Sequence, residues 1–343
     1  MIGDRTVGGG YRRLYRLALP LFTCLVLGAS RASAQATHIL VITGLGGDPA
    51  HSETFKDWAD RFIDAAVERH GVPAESVVYL AEKPDGDART HARSTSDNVR
   101  QAVAELSLRA EPGDHVFILL IGHGSYSGGE SRFNLPGPDL SAADFALLLD
   151  QLSEQTVAFI NVSSASGGFV EALSGEDRTI ITATKTGMER NEALFGGYFV
   201  DAFAQEGADL DKDERVSLLE AFQFARQEVA RAYELDNRLL TEHAMLDDNG
   251  DGKGSGDPGI GQADGALAQT MFLMSAAAAA ERSTDDPEFQ RLYEERAALR
   301  RRIDELRALR DQMDPERYEA QLEELLVDLA LKNREIRARE GAG

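Results

Sequence analysis

His115-Val116-Phe117-Ile118-Leu119-Leu120-Ile121-Gly122-His123-Gly124 and, further along, Val157-Ala158-Phe159-Ile160-Asn161-Val162-Ser163-Ser164-Ala165-Ser166-Gly167-Gly168 are the two stretches from which the rest of the chain is read. Each opens with an apolar run of strand length. Such unbroken runs suit central strands of a parallel sheet, buried on both faces. Each then breaks into small, polar, Gly-rich sequence. The carboxyl ends of neighbouring parallel strands share one crevice, where ligands and chemistry collect. The arrangement therefore brings His123 and the serines 163, 164 and 166 toward one place.

Working outward, His38–Thr43 reads as the first strand and Val77–Leu80 as the second. Ser52 is the expected cap of a helix reaching about His70, with Phe55, Trp58, Ala59, Phe62 and Ala66 on its apolar face. Thr95–Leu108 is the next helix, and Ser141 caps another that carries Phe145, Leu148 and Leu149. Between them Gly124–Leu140 reads as a long cleft-shaping loop. Thr179–Thr184 is a fifth strand and Leu194–Phe203 a helix. Strands alternating with helices in this order predict an α/β fold, a three-layer α/β/α sandwich on a mostly parallel sheet. Gly44–Pro49 after the first strand is Gly-rich, but it is not a full G-x-G-x-x-G and no Lys-Ser/Thr follows it.

Gly122-His123-Gly124, followed by Ser163-Ser164-Ala165-Ser166-Gly167, resembles the caspase–legumain clan of peptidases, most closely the legumain type. In that family a His after one strand activates a Cys after the next. The resemblance covers roughly residues 37–205 and implies the caspase-like sheet, with His123 as base, Ser164 in the Cys position and Gly124 beside the oxyanion site. It also implies that 185–191 walls the specificity pocket, with Glu189 and Arg190 as its polar residues. The family's assisting Asn has no counterpart, since Gly46 falls near its place.

The chain has 343 residues, 43% hydrophobic and 27% charged, with a net charge of −22. That charge argues against nucleic acid and anionic membrane as partners. Residues 1–34 read as a secretory signal peptide: Arg12, Arg13 and Arg16, an apolar Leu17–Leu27, then Ala32-Ser33-Ala34 before Gln35. The expected location is periplasmic or extracellular. Cleavage there removes Cys24, the single cysteine, and with it any disulfide, thiolate ligand or cysteine nucleophile. The expected domains are 1–34, an α/β domain over 35–275, and a charged helical hairpin over 276–343.

Two acidic stretches are candidate cation loops. Asp209, Asp211, Asp213, the Arg215 carbonyl, Ser217 and Glu220 fall at the ligand positions of a twelve-residue EF-hand loop. Its sixth position, usually Gly, is Glu214, at a cost of about 1 kcal/mol. The same carboxylates also suit the positive end of a helix over Ser217–Tyr233. Asp247, Asn249 and Asp251 form a weaker set that ordinary Asp-Gly turn chemistry explains equally well. Ca²⁺ is the cofactor these oxygen sets imply, and His243 lies just before the second.

Leu292, Leu299, Leu306 and Met313 recur every seven residues, with Ile303 and Leu309 beside them. Asp314-Pro315 then opens a second run of Tyr318, Leu322, Leu325, Leu329 and Ile336. These predict an antiparallel helical hairpin, suited to a homodimer or a partner protein. Three functions stay open. The first is a homologue with lost or weak catalysis that binds peptide or protein in its cleft. The second is an active serine endopeptidase using His123 and Ser164. The third is a calcium-stabilised scaffold in which the serines cap a helix and His123 is structural.

Overall fold

The two apolar runs form adjacent parallel strands. In the computed structural model β1 (Thr37–Thr43), β4 (His115–Ile121) and β8 (Thr156–Asn161) lie side by side, with Thr37 opposite His115 and Leu119 opposite Ile160. The residues described are 35–274 except 85, 192, 214, 260 and 261; then 291, 292, 295, 296, 298, 299, 302, 303 and 306; then 314–340. The expected signal peptide over 1–34 and the positions of Leu309 and Met313 lie outside them.

Adding β2 (Val77–Ala81), β3 (Ala92–Arg93), β9 (Arg178–Thr182) and β10 (Met245–Asp247) gives a seven-stranded sheet in the order β10-β9-β8-β4-β1-β2-β3. Only the edge strand β10 is antiparallel to its neighbour. Strand alternation divides the core. Ile39 and Val41 face α1 (Pro49–Asp64), α5 (Phe195–Ala204) and α6 (Leu218–Leu235). Leu40 and Ile42 face α2 (Ser96–Arg109), α3 (Ala142–Leu149) and α4 (Gly168–Leu173). The fold is the α/β/α sandwich expected, because central strands covered by helices on both faces must be apolar on both.

Three local expectations are corrected. The cap of α1 is Asp48 rather than Ser52: its carboxylate accepts the His51 N–H at 3.0 Å, and Pro49 occupies the first turn, where no N–H is needed. Residues 124–140 are not a plain loop. They hold β5 (Gly124–Ser127), β6 (Glu130–Phe133) and β7 (Leu140–Ser141), a three-stranded antiparallel sheet. Gly128 (φ 63°) and Gly129 (φ 86°) close the β5–β6 hairpin, since a tight two-residue turn needs positive φ at both positions. The serines do not cap α4 either, because its N-cap is Gly167, with no side-chain capping bond.

The C-terminal helix α7 (Pro315–Glu340) is capped by Asp314, which accepts the Arg317 N–H at 3.2 Å. Ile303, Leu306, Leu325 and Leu329 form the buried seam of a helix pair. Lys332 bridges the two helices through Glu295 at 2.7 Å.

Candidate active site

The carboxyl ends of β1, β4, β8 and β9 deliver Gly44, His123, Ser164 and Lys185 to one edge of the sheet. Ser164 follows β8 in a turn where Ala165 takes φ 54°, a left-handed conformation uncommon for a residue with a Cβ. Its N–H donates to the Glu189 carbonyl at 2.8 Å, which fixes the sharp bend. Asn161 holds the preceding residue, accepting from Ser163 N–H at 3.1 Å and Ser163 Oγ at 2.6 Å. Ser164 is therefore presented by a rigid turn and is only 5% exposed.

The Ser164 hydroxyl meets the backbone of the residue after His123. Gly124 N–H donates to Ser164 Oγ at 3.3 Å, and Ser164 Oγ donates to the Gly124 carbonyl at 3.4 Å. This closeness requires glycine. A Cβ on Gly124 would lie 2.2 Å from the Ser164 carbonyl oxygen and 2.8 Å from Ser163 Oγ. The structure thus brings Gly124, the residue after His123, onto Ser164.

The ring of His123 packs edge-on against Phe55 and His51, each 5.0 Å away between centroids. His51 is in turn bound to Asp48, Nδ1 to Oδ2 at 2.7 Å. The His51 N–H, together with its ring, holds the Asp48 carboxyl below its usual range. Sequence reasoning missed His51 and Asp48. Both sit at the start of α1, beyond the Gly-rich turn, and no spacing ties them to His123. Gly46 supplies no side chain there, and a Cβ on it would press into Ser52.

The segment after β9 packs beside β5. Arg190 Nη2 donates to the Tyr126 carbonyl of β5 at 3.1 Å. Glu189 accepts from His243 N–H at 3.1 Å and pairs with the His243 ring at 3.2 Å, so His243 braces this wall. Behind Lys185 lies a mostly apolar groove of about 610 Å³ floored by Phe195, Val229, Ala244 and Met245.

The acidic loops lie elsewhere. Asp209, Asp211 and Asp213 bring carboxylate oxygens within 4.8 Å of one another. Two of the expected ligands, Asp213 and Glu220, also make bonds within the protein. Glu220 accepts Leu210 N–H, Asp211 N–H, Ser217 N–H and Ser217 Oγ, forming a capping box at the head of α6. Asp213 is paired with Arg215 and with Arg296 of the C-terminal helix pair, each at 3.0 Å. Arg215 so serves through its side chain. In the second loop Asp247 is buried, while Asn249 and Asp251 are exposed. No helix among the described residues is long and apolar enough to cross a membrane.

The Peptidase C13 family model matches residues 95–244, a span that includes both His123 and Ser164. No curated protein matches the chain. Among solved structures, protein GSU0716 from Geobacter sulfurreducens is 13% identical, with 70% of this chain and 99% of that one covered and a TM-score of 0.45. The Drosophila initiator caspase Dronc is 10% identical over 69% of this chain and 84% of its own, with a TM-score of 0.37. The C13 match runs from the head of α2 to just before β10 and so takes in the strands β4, β8 and β9 whose carboxyl ends carry His123, Ser164 and Lys185; over that stretch the chain is similar to the Peptidase C13 family.

Proposed function

We propose that the chain is an exported peptidase homologue whose hydrolytic step is lost or weak and whose cleft binds an extended peptide or protein segment. The observation that carries this is the setting of Ser164. Its hydroxyl lies on the amide and carbonyl of Gly124. The Gly124 amide is the donor an oxyanion would need, so here nucleophile and stabiliser are engaged with each other. A serine attacks only when an oriented base takes its proton, whereas a cysteine beside a His ionises readily. The edge beside Ser164 suits an extended ligand. β5 is an edge strand of its small sheet, starting at Gly124 and braced by Arg190, and an extended peptide can pair along such an edge. Export rests on the signal-like residues 1–34.

The test is to incubate the purified protein with a library of extended peptides and score both retention and cleavage by mass spectrometry. Retained, uncleaved peptides are expected. Cleavage that Ser164→Ala abolishes would overturn the reading and make the protein a serine-type endopeptidase.

A further inference from the structure

β10 ends on Asp247, opposite Ile180 of β9. Asp247 is 1% exposed, and neither of its carboxylate oxygens has a hydrogen-bond partner. A buried charge without partners is among the costliest arrangements a fold can keep. Protonation does not repair it, because the acid would still hold an unpaired O–H and an unpaired C=O. The neighbouring acids do not share this condition. Asp248 accepts Gly265 N–H at 2.7 Å and Ala268 N–H at 2.8 Å.

The chain folds a second buried acid toward Asp247. Asp264 is 2% exposed and accepts the Asp248 N–H at 3.2 Å. Its carboxyl lies within reach of the charges of Asp247, Asp248 and Asp251. Asn249 Nδ2 donates to the Ala263 carbonyl at 3.1 Å, tying the turn after β10 to the segment that carries Asp264. The turn places Asp247, Asn249 and Asp251 at alternate positions with Gly252 sixth, and Gly252 has φ 74°. Oxygen ligands at positions 1, 3 and 5 and a positive φ at position 6 are the geometry that wraps a chain around Ca²⁺.

We propose that Asp247, Asn249 and Asp264, helped by Asp251 and by carbonyls of the same turn, bind a hard divalent cation of the Ca²⁺ class. The set is all oxygen, with no thiolate or imidazole, which disfavours zinc. The cation supplies the positive charge that Asp247 lacks. It would also lock the end of the fold that supports the serine turn, since Gly252 N–H donates to Ser174 Oγ at the C-cap of α4 at 2.9 Å. The Asp209 loop differs in that arginines already pair with Asp213.

The test reads stability, so it is independent of whether the cleft cleaves or binds peptides. The melting temperature of the purified protein is followed in EDTA, Mg²⁺ and rising Ca²⁺, beside Asp247→Asn, Asp264→Asn and Asp211→Asn. At a hundredfold excess over Kd, wild type is expected to gain roughly 5–10 °C with Ca²⁺. Asp247→Asn and Asp264→Asn should lose that gain, and Asp247→Asn should melt no lower than wild type in EDTA, because it removes an unpaired charge. Asp211→Asn should keep the gain. No shift at about 10 mM Ca²⁺, beyond the weak end of protein calcium sites, would overturn the proposal. So would a gain kept in Asp247→Asn and lost in Asp211→Asn.

Discussion

Replacing Gly124 by Ala tests the seat of β5 on the serine turn. The new Cβ would stand 2.2 Å from the Ser164 carbonyl oxygen, 2.8 Å from Ser163 Oγ and 3.1 Å from the Arg132 carbonyl. Two of these are backbone atoms and cannot rotate away, so the two segments must part by about 1 Å to restore ordinary contact. Overpacking of this kind costs about 1–3 kcal/mol. Parting also breaks the two long bonds between Gly124 and Ser164, worth about 0.5–1 kcal/mol each. The sum, about 2–5 kcal/mol, corresponds to a fall in melting temperature on the order of 5–15 °C for a domain of this size. Gly128→Ala is the control: its φ of 63° costs about 1 kcal/mol in strain, yet nothing lies within 4 Å of the added Cβ. Differential scanning calorimetry of both variants decides the matter. If Gly124→Ala melts with wild type, or above Gly128→Ala, the close contact between β5 and the Ser164 turn is wrong.

Other consequences follow from the same packing. Phe133 is fully buried against Gly44 and Gly122, so Phe133→Ala should cost about 3–5 kcal/mol in chemical denaturation. Burial, then the charges of Asp213 and Asp209, pushes Glu220 up to about 7 from its ordinary value of 4.5. The folded state then keeps a proton that the unfolded chain releases, so this stabilisation is full below about pH 4.5 and is lost as pH rises through about 7. Glu220→Gln should flatten that slope in a pH series of melting curves. Arg296 joins the C-terminal helix pair to Asp213 at 3.0 Å in a buried setting. Because Arg215 remains as a second partner, Arg296→Ala should cost only about 1–3 kcal/mol. It should also speed proteolysis of residues 291–340 by at least roughly fivefold. An unchanged cleavage rate would remove that docking contact.

Much of the architecture was legible because buried parallel strands leave an unambiguous pattern. The runs at 38–43, 115–121 and 157–162 had to be apolar on both faces, and the alternation of Ile39 and Val41 with Leu40 and Ile42 between two cores shows why. That the segment after β4 would reach the serine turn after β8 could be foreseen from topology alone. The small β5–β7 sheet was not, because its strands are short and half polar; only Gly128-Gly129 marked a hairpin. His51 and Asp48 were invisible for another reason: their link to His123 exists only through the angle at which α1 leaves β1. The acidic loops show the limit of spacing arguments. In the longer match Glu220 also caps α6 and Asp213 also pairs with arginines, while the shorter one holds the unpaired Asp247. Its companion Asp264 lies too far along the chain to be read from the motif.

The central claim is that the cleft is preserved and that the residue at position 164 limits catalysis. Peptide hydrolysis by Ser164→Cys measured against wild type tests it most directly. A thiol at position 164 should give turnover at least about tenfold above wild type, since it reaches its nucleophilic form without a fully oriented base. A folded Ser164→Cys protein as inert as wild type would contradict the claim. It would mean that His123 and the Gly124 amide are no longer arranged for acyl transfer.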